Sequence, residues 1–233
     1  MSKSHLNPWF GLKMKIPQTL LDILEKHQRD CVTESDCLSC SSGCCSRGGF
    51  AIIENVFAIY ELYEKGKLKR KGMNFPKGLS LYAFIVKYFD VLERHVGPEE
   101  DEEPLVFFHM KSIDEKGRPI SIPGDEYWKT RDGLFNRNRW LNHGCVFLSH
   151  PVLDWPHDDH LSDRHCILHQ EDSLTNIGSK PIDCLFYTCR KPFEPKLPAK
   201  EETEKWFYAI AKAFPNSKEK AESIVNNNVK PGA

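Results

Sequence analysis

Four thiols crowd into nine residues, "CLSCSSGCC" from Cys37 to Cys45, and no other feature of the chain limits its folding as much. The surrounding run, "ESDCLSCSSGCC", is too polar for its cysteines to be explained as small core hydrophobes. Cys31 stands just upstream, and Cys145, Cys166, Cys184 and Cys189 follow far downstream. The total of nine is odd, which argues against a fully paired disulfide framework. The first residues, "MSKSHLNPWFGLKMKIP", lack the uninterrupted apolar run of a secretory leader. No stretch reaches the roughly 20 apolar residues that span a bilayer. The expectation is a cytoplasmic protein without membrane attachment, and in a reducing compartment clustered cysteines bind metal or do redox chemistry.

Soft cations take thiolate ligands, and a tight turn lets two thiolates two or three residues apart face one ion. Cys37 and Cys40 have that spacing, and Cys40 and Cys44 extend it. Such a loop supplies part of a site, and the distant cysteines are the natural complement. Cys145 stands in "HGCVFL", Cys166 in "RHCILH", and Cys184 and Cys189 in "PIDCLFYTC". Short apolar runs after the first three would anchor each ligand to a core. Cys44 and Cys45 are adjacent, so their side chains diverge: they serve two centres, or one ligates while the other packs. Two four-thiolate sites and a single cluster with reserve thiols both satisfy the count.

Periodicity predicts helices over 17–29, over 51–65 with Ile52, Val56, Ile59 and Tyr63 on one stripe, and over 79–96 with Leu81, Ile85, Phe89, Leu92 and Val96 on one stripe. Gly66 and Gly97-Pro98 are the expected stops of the last two. The acidic run Glu99–Glu103 reads as a solvated linker. "PLVFFHMKSI" and "DEKGRPI" predict a strand, a turn at Gly117 and a second strand. Residues 133–188 are dense in His, Asp, Asn and Cys with little periodicity, as in a loop-rich region ordered by metal. Helices return over 200–214 and 217–225, and the end, "NNNVKPGA", is expected to fray. The fold class is α+β, a single domain over 1–233, mostly helical around a small, irregular, metal-braced cysteine core. That cysteine region spans about 31–190, and C-terminal helices about 200–226.

Two other constellations compete for function. "WPHDDHLSDRHCILH" gathers His157, Asp158, Asp159, His160, Asp163, His165 and His169, and two histidines with a carboxylate can hold a second metal with an open position. The plainer reading is a solvated loop. Arg131, Arg137 and Arg139 beside Trp140 make a basic patch, but a net charge of −1 gives the chain no general pull toward nucleic acid or an anionic surface. The expected partner is a protein or a small-molecule substrate.

The order of these motifs resembles the YkgJ-type cysteine-cluster family, described as a zinc- or iron-chelating domain with eight cysteines. The likeness rests on "CLSCSSGCC" followed by the helix "GFAIIENVFAIYELYEKG", then "GCVFL", "CILH" and "KPIDCLFYTC", and it covers roughly 31–190. The cysteine region of flagellin lysine N-methylases is similar and is associated with an iron–sulfur cluster. The resemblance implies Cys37, Cys40, Cys44, Cys45, Cys145, Cys166, Cys184 and Cys189 as metal ligands. This chain departs from the family pattern in one extra residue before Cys44, in a long histidine-rich insert over 149–164, and in Lys180 before Pro181. Zinc and an iron–sulfur cluster both accept four thiolates. The expected function is an iron–sulfur protein with a redox or catalytic role, as an oxidoreductase or a protein-modifying enzyme. The alternatives are a structural zinc module for protein interaction and a protein-lysine methylase. The last lacks a glycine-rich loop after a strand to cradle S-adenosylmethionine.

Overall fold

The computed structural model describes residues 15–28, 49–70, 74–96, 104–114, 116–121, 145–149, 166–168, 178–182, 184, 188–191, 194–196 and 200–228. Among these the fold is α+β. Five helices, α1 (Gln18–Gln28), α2 (Ile53–Glu64), α3 (Leu81–Tyr88), α4 (Lys200–Ala213) and α5 (Ser217–Asn228), accompany three small antiparallel sheets.

The central sheet has the order β1–β3–β2, with β1 Phe50–Ala51, β2 Phe89–Arg94 and β3 Leu105–Met110. Every residue of β3, "LVFFHM", is buried, because helices cover both faces of the sheet. The pleat sends alternate residues to opposite sides. Val106, Phe108 and Met110 join Ala51, Val56, Ile59, Tyr60, Phe84, Ile85 and Ile224 in one core cluster. Leu105 and Phe107 join Phe50, Leu20, Trp206, Phe207, Ile210 and Phe214 in the other. So α2, α3 and α5 pack on one face, and α1 and α4 on the other. Each fully buried Phe contributes roughly 1.5–3 kcal/mol.

The expected helix over 79–96 is corrected here. The chain is helical only from Leu81 to Tyr88; Phe89 has φ −131° and ψ 150° and starts a strand that pairs with β3 from Phe89↔Met110 to Arg94↔Leu105. The short apolar run fits both periods. The decision comes from β3: among the described residues β1 pairs with it at His109 and Phe108, so a fully buried β3 takes a longer partner on its other edge to satisfy its backbone. Beyond the reach of β1, the Ser217 hydroxyl accepts the Val106 N–H at 2.9 Å.

Helix α2 ends as expected at Gly66, whose φ of 64° is costly for any residue with a Cβ. Gly66 N–H donates to Tyr63 O at 2.9 Å and Lys67 N–H to Leu62 O at 2.9 Å, the pair of bonds that closes a Schellman end. The hairpin of β4 (Ser112–Ile113) and β5 (Pro119–Ile120) also forms as expected, with Gly117 at φ 74°. A further hairpin, β6 (Thr188–Lys191) with β7 (Glu194–Lys196), was not signalled by the sequence, and α5 extends to Asn228, past the expected fraying point. The acidic linker and the basic patch around Trp140 lie outside the described residues. No helix among the described residues is long and apolar enough to cross a membrane.

Candidate metal centre

Cys145 opens a tight turn. Leu148 N–H donates to Cys145 O at 3.0 Å, and Phe147 N–H points at Cys145 Sγ, 3.4 Å away. A backbone N–H aimed at sulfur favours the thiolate, the form that ligates soft metals. Phe147 is held in place by its ring, which stacks on Phe75 at 6.1 Å and meets Phe89 at 5.5 Å and Tyr88 at 6.2 Å. The apolar residues after Cys145 thus do what the sequence suggested: they fix the turn in the core and, through it, the sulfur.

A chain of backbone pairings joins this turn to the sheet and to Cys166. Lys111, just past β3, accepts from Val146 N–H at 2.9 Å, and Ser112 and Cys145 form an antiparallel bridge. Leu148 and Cys166 form another, with Ile167 N–H donating to Phe147 O at 3.0 Å. Lys111 itself is clamped: its ammonium donates to Val86 O near the end of α3 at 2.7 Å and sits 3.7 Å from Asp90. A cation on the last carbonyls of a helix is favourable. Cys145 and Cys166 are both buried, in the same cluster as the α2 face of the sheet, and Cys184 packs against that cluster.

Cys184 arrives by a different route. The segment 178–182 is bound to the start of α2 by Asn55, which is fully buried. Asn55 Nδ2 donates to Gly178 O at 2.8 Å and Lys180 O at 3.0 Å; its Oδ1 accepts from Ile52 N–H at 3.2 Å and Ile182 N–H at 3.1 Å. Ile182 then enters the cluster on the α1 and α4 side, and Cys184 N–H closes a turn onto Pro181 O at 2.9 Å. The Cys184 sulfur rests against Gly49, four residues beyond Cys45. A Cβ added to Gly49 would lie 2.9 Å from Cys184 Sγ and 3.2 Å from Met110 Cε. At Gly49 the missing side chain permits a close approach of backbone to sulfur.

The end of the cysteine-rich loop therefore meets the late Cys184 segment, and Cys145, Cys166 and Cys184 belong to one packed region. Among the described residues no group of three or more His, Cys, Asp or Glu is gathered closely enough to hold a metal ion. Cys37, Cys40, Cys44 and Cys45 lie outside the described residues, as do His157, His160, His165 and His169 with the neighbouring Asp158, Asp159 and Asp163. Cys189 is in β6, in register with Pro195, and its side chain is outside the described set. The donor chemistry of the three placed thiols is of the kind that suits a soft metal, and Cys145 has a backbone N–H directed at its sulfur.

Two residues of this region carried weaker sequence signals. Asn55 is a polar side chain on the apolar stripe of Ile52, Val56 and Ile59, a mismatch visible in "AIIENVFAI". Arg70 sits in "KLKRKG", which looks like any solvated basic run, yet it is buried and its Nη1 donates to Val146 O at 2.9 Å. Burial pushes the Arg70 guanidinium down to about 10, and charge on Cys145 acts in the opposite direction. No family model, curated protein or solved structure matches the chain.

Proposed function

We propose that the chain is a cysteine-cluster metalloprotein that holds an iron–sulfur cluster with a redox or catalytic role. The observation that carries this is the seating of Cys184 Sγ on Gly49: it brings a thiol from late in the chain to the exit of the loop that carries Cys37, Cys40, Cys44 and Cys45. Cys145 and Cys166, on backbone pairings that lead to the same sheet, are the further ligands in this proposal. Cys189 would join the set from β6. When bound, an iron–sulfur cluster supplies electron transfer or, at an iron with an open position, a Lewis-acid site. The protein's own part is to deliver thiolates from a rigid core and to exclude water from them.

Structural zinc is the second reading, favoured by the burial of Cys145 and Cys166 within the apolar core, where a metal would staple three distant segments. The deciding experiment is iron, sulfide and zinc analysis of anaerobically purified protein, with its visible spectrum. A brown protein with matched iron and inorganic sulfide is expected. Colourless protein with stoichiometric zinc gives the centre to the structural role, and protein that retains no metal through its thiols overturns both.

A further inference from the structure

The segment after α2 is extended, and along it exposure alternates: Lys67 and Lys69 face solvent while Leu68 and Arg70 are buried. An arginine thus occupies a core position. Nη1 donates to Val146 O, while among the described residues Nε and Nη2 are buried with no hydrogen-bond partner. Leaving a buried donor unsatisfied is destabilising, and more so when the group is charged. Two such donors on one buried cation make no sense as a device for stability. They do make sense as a fork, because Nε–H and Nη2–H lie along one edge of the planar guanidinium and point the same way.

The anchor indicates what the fork serves. Val146 is the residue after Cys145, so the bond to its carbonyl fixes the guanidinium beside the Cys145 turn, and positive charge there is favoured by negative charge on the cysteine. Four thiolates around a divalent cation, or around an iron–sulfur cluster, leave net negative charge that a core must compensate. We propose that Arg70 is the built-in counter-charge of the thiolate centre, its open Nε/Nη2 fork reserved for metal-bound sulfur. Arg70 is then a positioning residue that raises metal affinity without ligating. This inference rests on the thiolate centre proposed above.

The test uses the full chain, stripped of metal and titrated with Zn2+ against a competing chelator, and with Co2+ to read sulfur-to-metal absorption. Wild type is compared with Arg70→Lys, Arg70→Gln and Arg70→Met. The expected result is a loss of roughly 10–100-fold in Zn2+ affinity for the Gln and Met variants, the scale seen when groups supporting a metal ligand are removed. The Co2+ spectrum should keep its thiolate bands, and Arg70→Lys, which retains the charge without the fork, should recover part of the loss. Without the cation the thiols hold their protons more tightly, so the pH at which Zn2+ is released should move upward in Arg70→Gln. That midpoint is read on the folded fraction, and in Arg70→Lys if the neutral variants do not fold. Unchanged affinity and release midpoint overturn the counter-charge role while leaving the thiolate centre standing. Stabilisation of wild type by phosphate or a small carboxylate, absent in Arg70→Gln, also overturns it by giving the fork to an oxyanion. Failure of wild type to bind Zn2+ or Co2+ through sulfur removes the parent proposal, and this one with it.

Discussion

The Asn55 side chain accepts the Ile182 backbone N–H at 3.1 Å across 127 residues of sequence, and so ties the approach to Cys184 to the first turn of α2. One amide fills four hydrogen-bonding roles with no water or side-chain intermediary: two backbone donors and two backbone carbonyls. Asn is one of the few residues with both a donor and an acceptor end that can do so.

Removing that amide should loosen the whole late segment. Asn55→Ala orphans Ile52 N–H, Ile182 N–H and two carbonyls at about 1–3 kcal/mol for each buried group left unsatisfied, so a loss of at least ~3 kcal/mol is expected in urea unfolding. Asn55→Asp keeps the acceptor but turns a carboxylate toward Gly178 O and Lys180 O, and should be no better. Wild-type unfolding by either variant would show that Asn55 does not hold the segment.

Gly49 makes a sharper test because it involves one atom. A methyl at this position meets Cys184 Sγ at 2.9 Å, so Gly49→Ala should cost about 1–3 kcal/mol as an overpacked site. Cys184→Ala removes the sulfur, and in that background Gly49→Ala should cost clearly less. The coupling measured by this double-mutant cycle in metal-free protein reports the contact directly. Strict additivity would mean that the two residues do not touch.

Much of this arrangement was legible beforehand, for reasons that differ by residue. The stripes of α2 and α4 are long enough to fix their period, and Gly66 and Gly117 mark positions that only a residue without a Cβ adopts cheaply. Phe89 and Leu92 misled because a helix would put them on one face; as strand residues they face opposite clusters, a choice set by pairing along β3 rather than by their own sequence. The hairpin of β6 and β7 carried no alternation to read. The late thiols were recognisable by their apolar tails, but nothing local separates Arg70 from its solvated neighbours Lys67 and Lys69. Only the fold decides which side of an extended segment is inward.

Glu54 and Lys220 join the first turn of α2 to α5, at 2.8 Å, with side-chain exposures of 8% and 18%. Breaking one partner should be worse than removing both, because a single change strands a largely buried charge. Lys220→Met is expected to lose on the order of 3 kcal/mol, and the pair Glu54→Leu with Lys220→Met to recover much of it. Thermal unfolding of the four proteins at neutral pH measures the difference.

The Asp114 carboxylate organises the β4–β5 hairpin by accepting from Lys116 N–H at 2.9 Å, Arg118 N–H at 2.8 Å and Arg118 Nε at 2.7 Å. The Arg118 backbone bond, above all, holds its pKa below the ordinary value. A depressed carboxylate stabilises the turn above its unfolded pKa of about 3.9, and that contribution fades as pH falls through the lower folded value. Amide shifts of Lys116 and Arg118 should therefore titrate below pH ~4 in wild type. They should stay flat in Asp114→Asn.

Serine at each cysteine separates ligands from bystanders. Cys145, Cys166 and Cys184 are anchored by the turn at Phe147, the bridge to Leu148 and the seat on Gly49, so loss of any one sulfur should leave its neighbours in place and the proposed centre one ligand short. Cys145→Ser, Cys166→Ser and Cys184→Ser should each weaken metal retention by at least roughly tenfold while changing apo stability far less, since metal binding free energy is folding free energy only when metal is present. Cys31→Ser, outside the ligand set, should retain wild-type metal and serves as the control. Chelator competition and unfolding in the presence and absence of metal give both numbers for every variant. Equal losses with and without metal at the three core positions would make those thiols packing residues, and the soft-metal centre would have to be sought elsewhere in the chain.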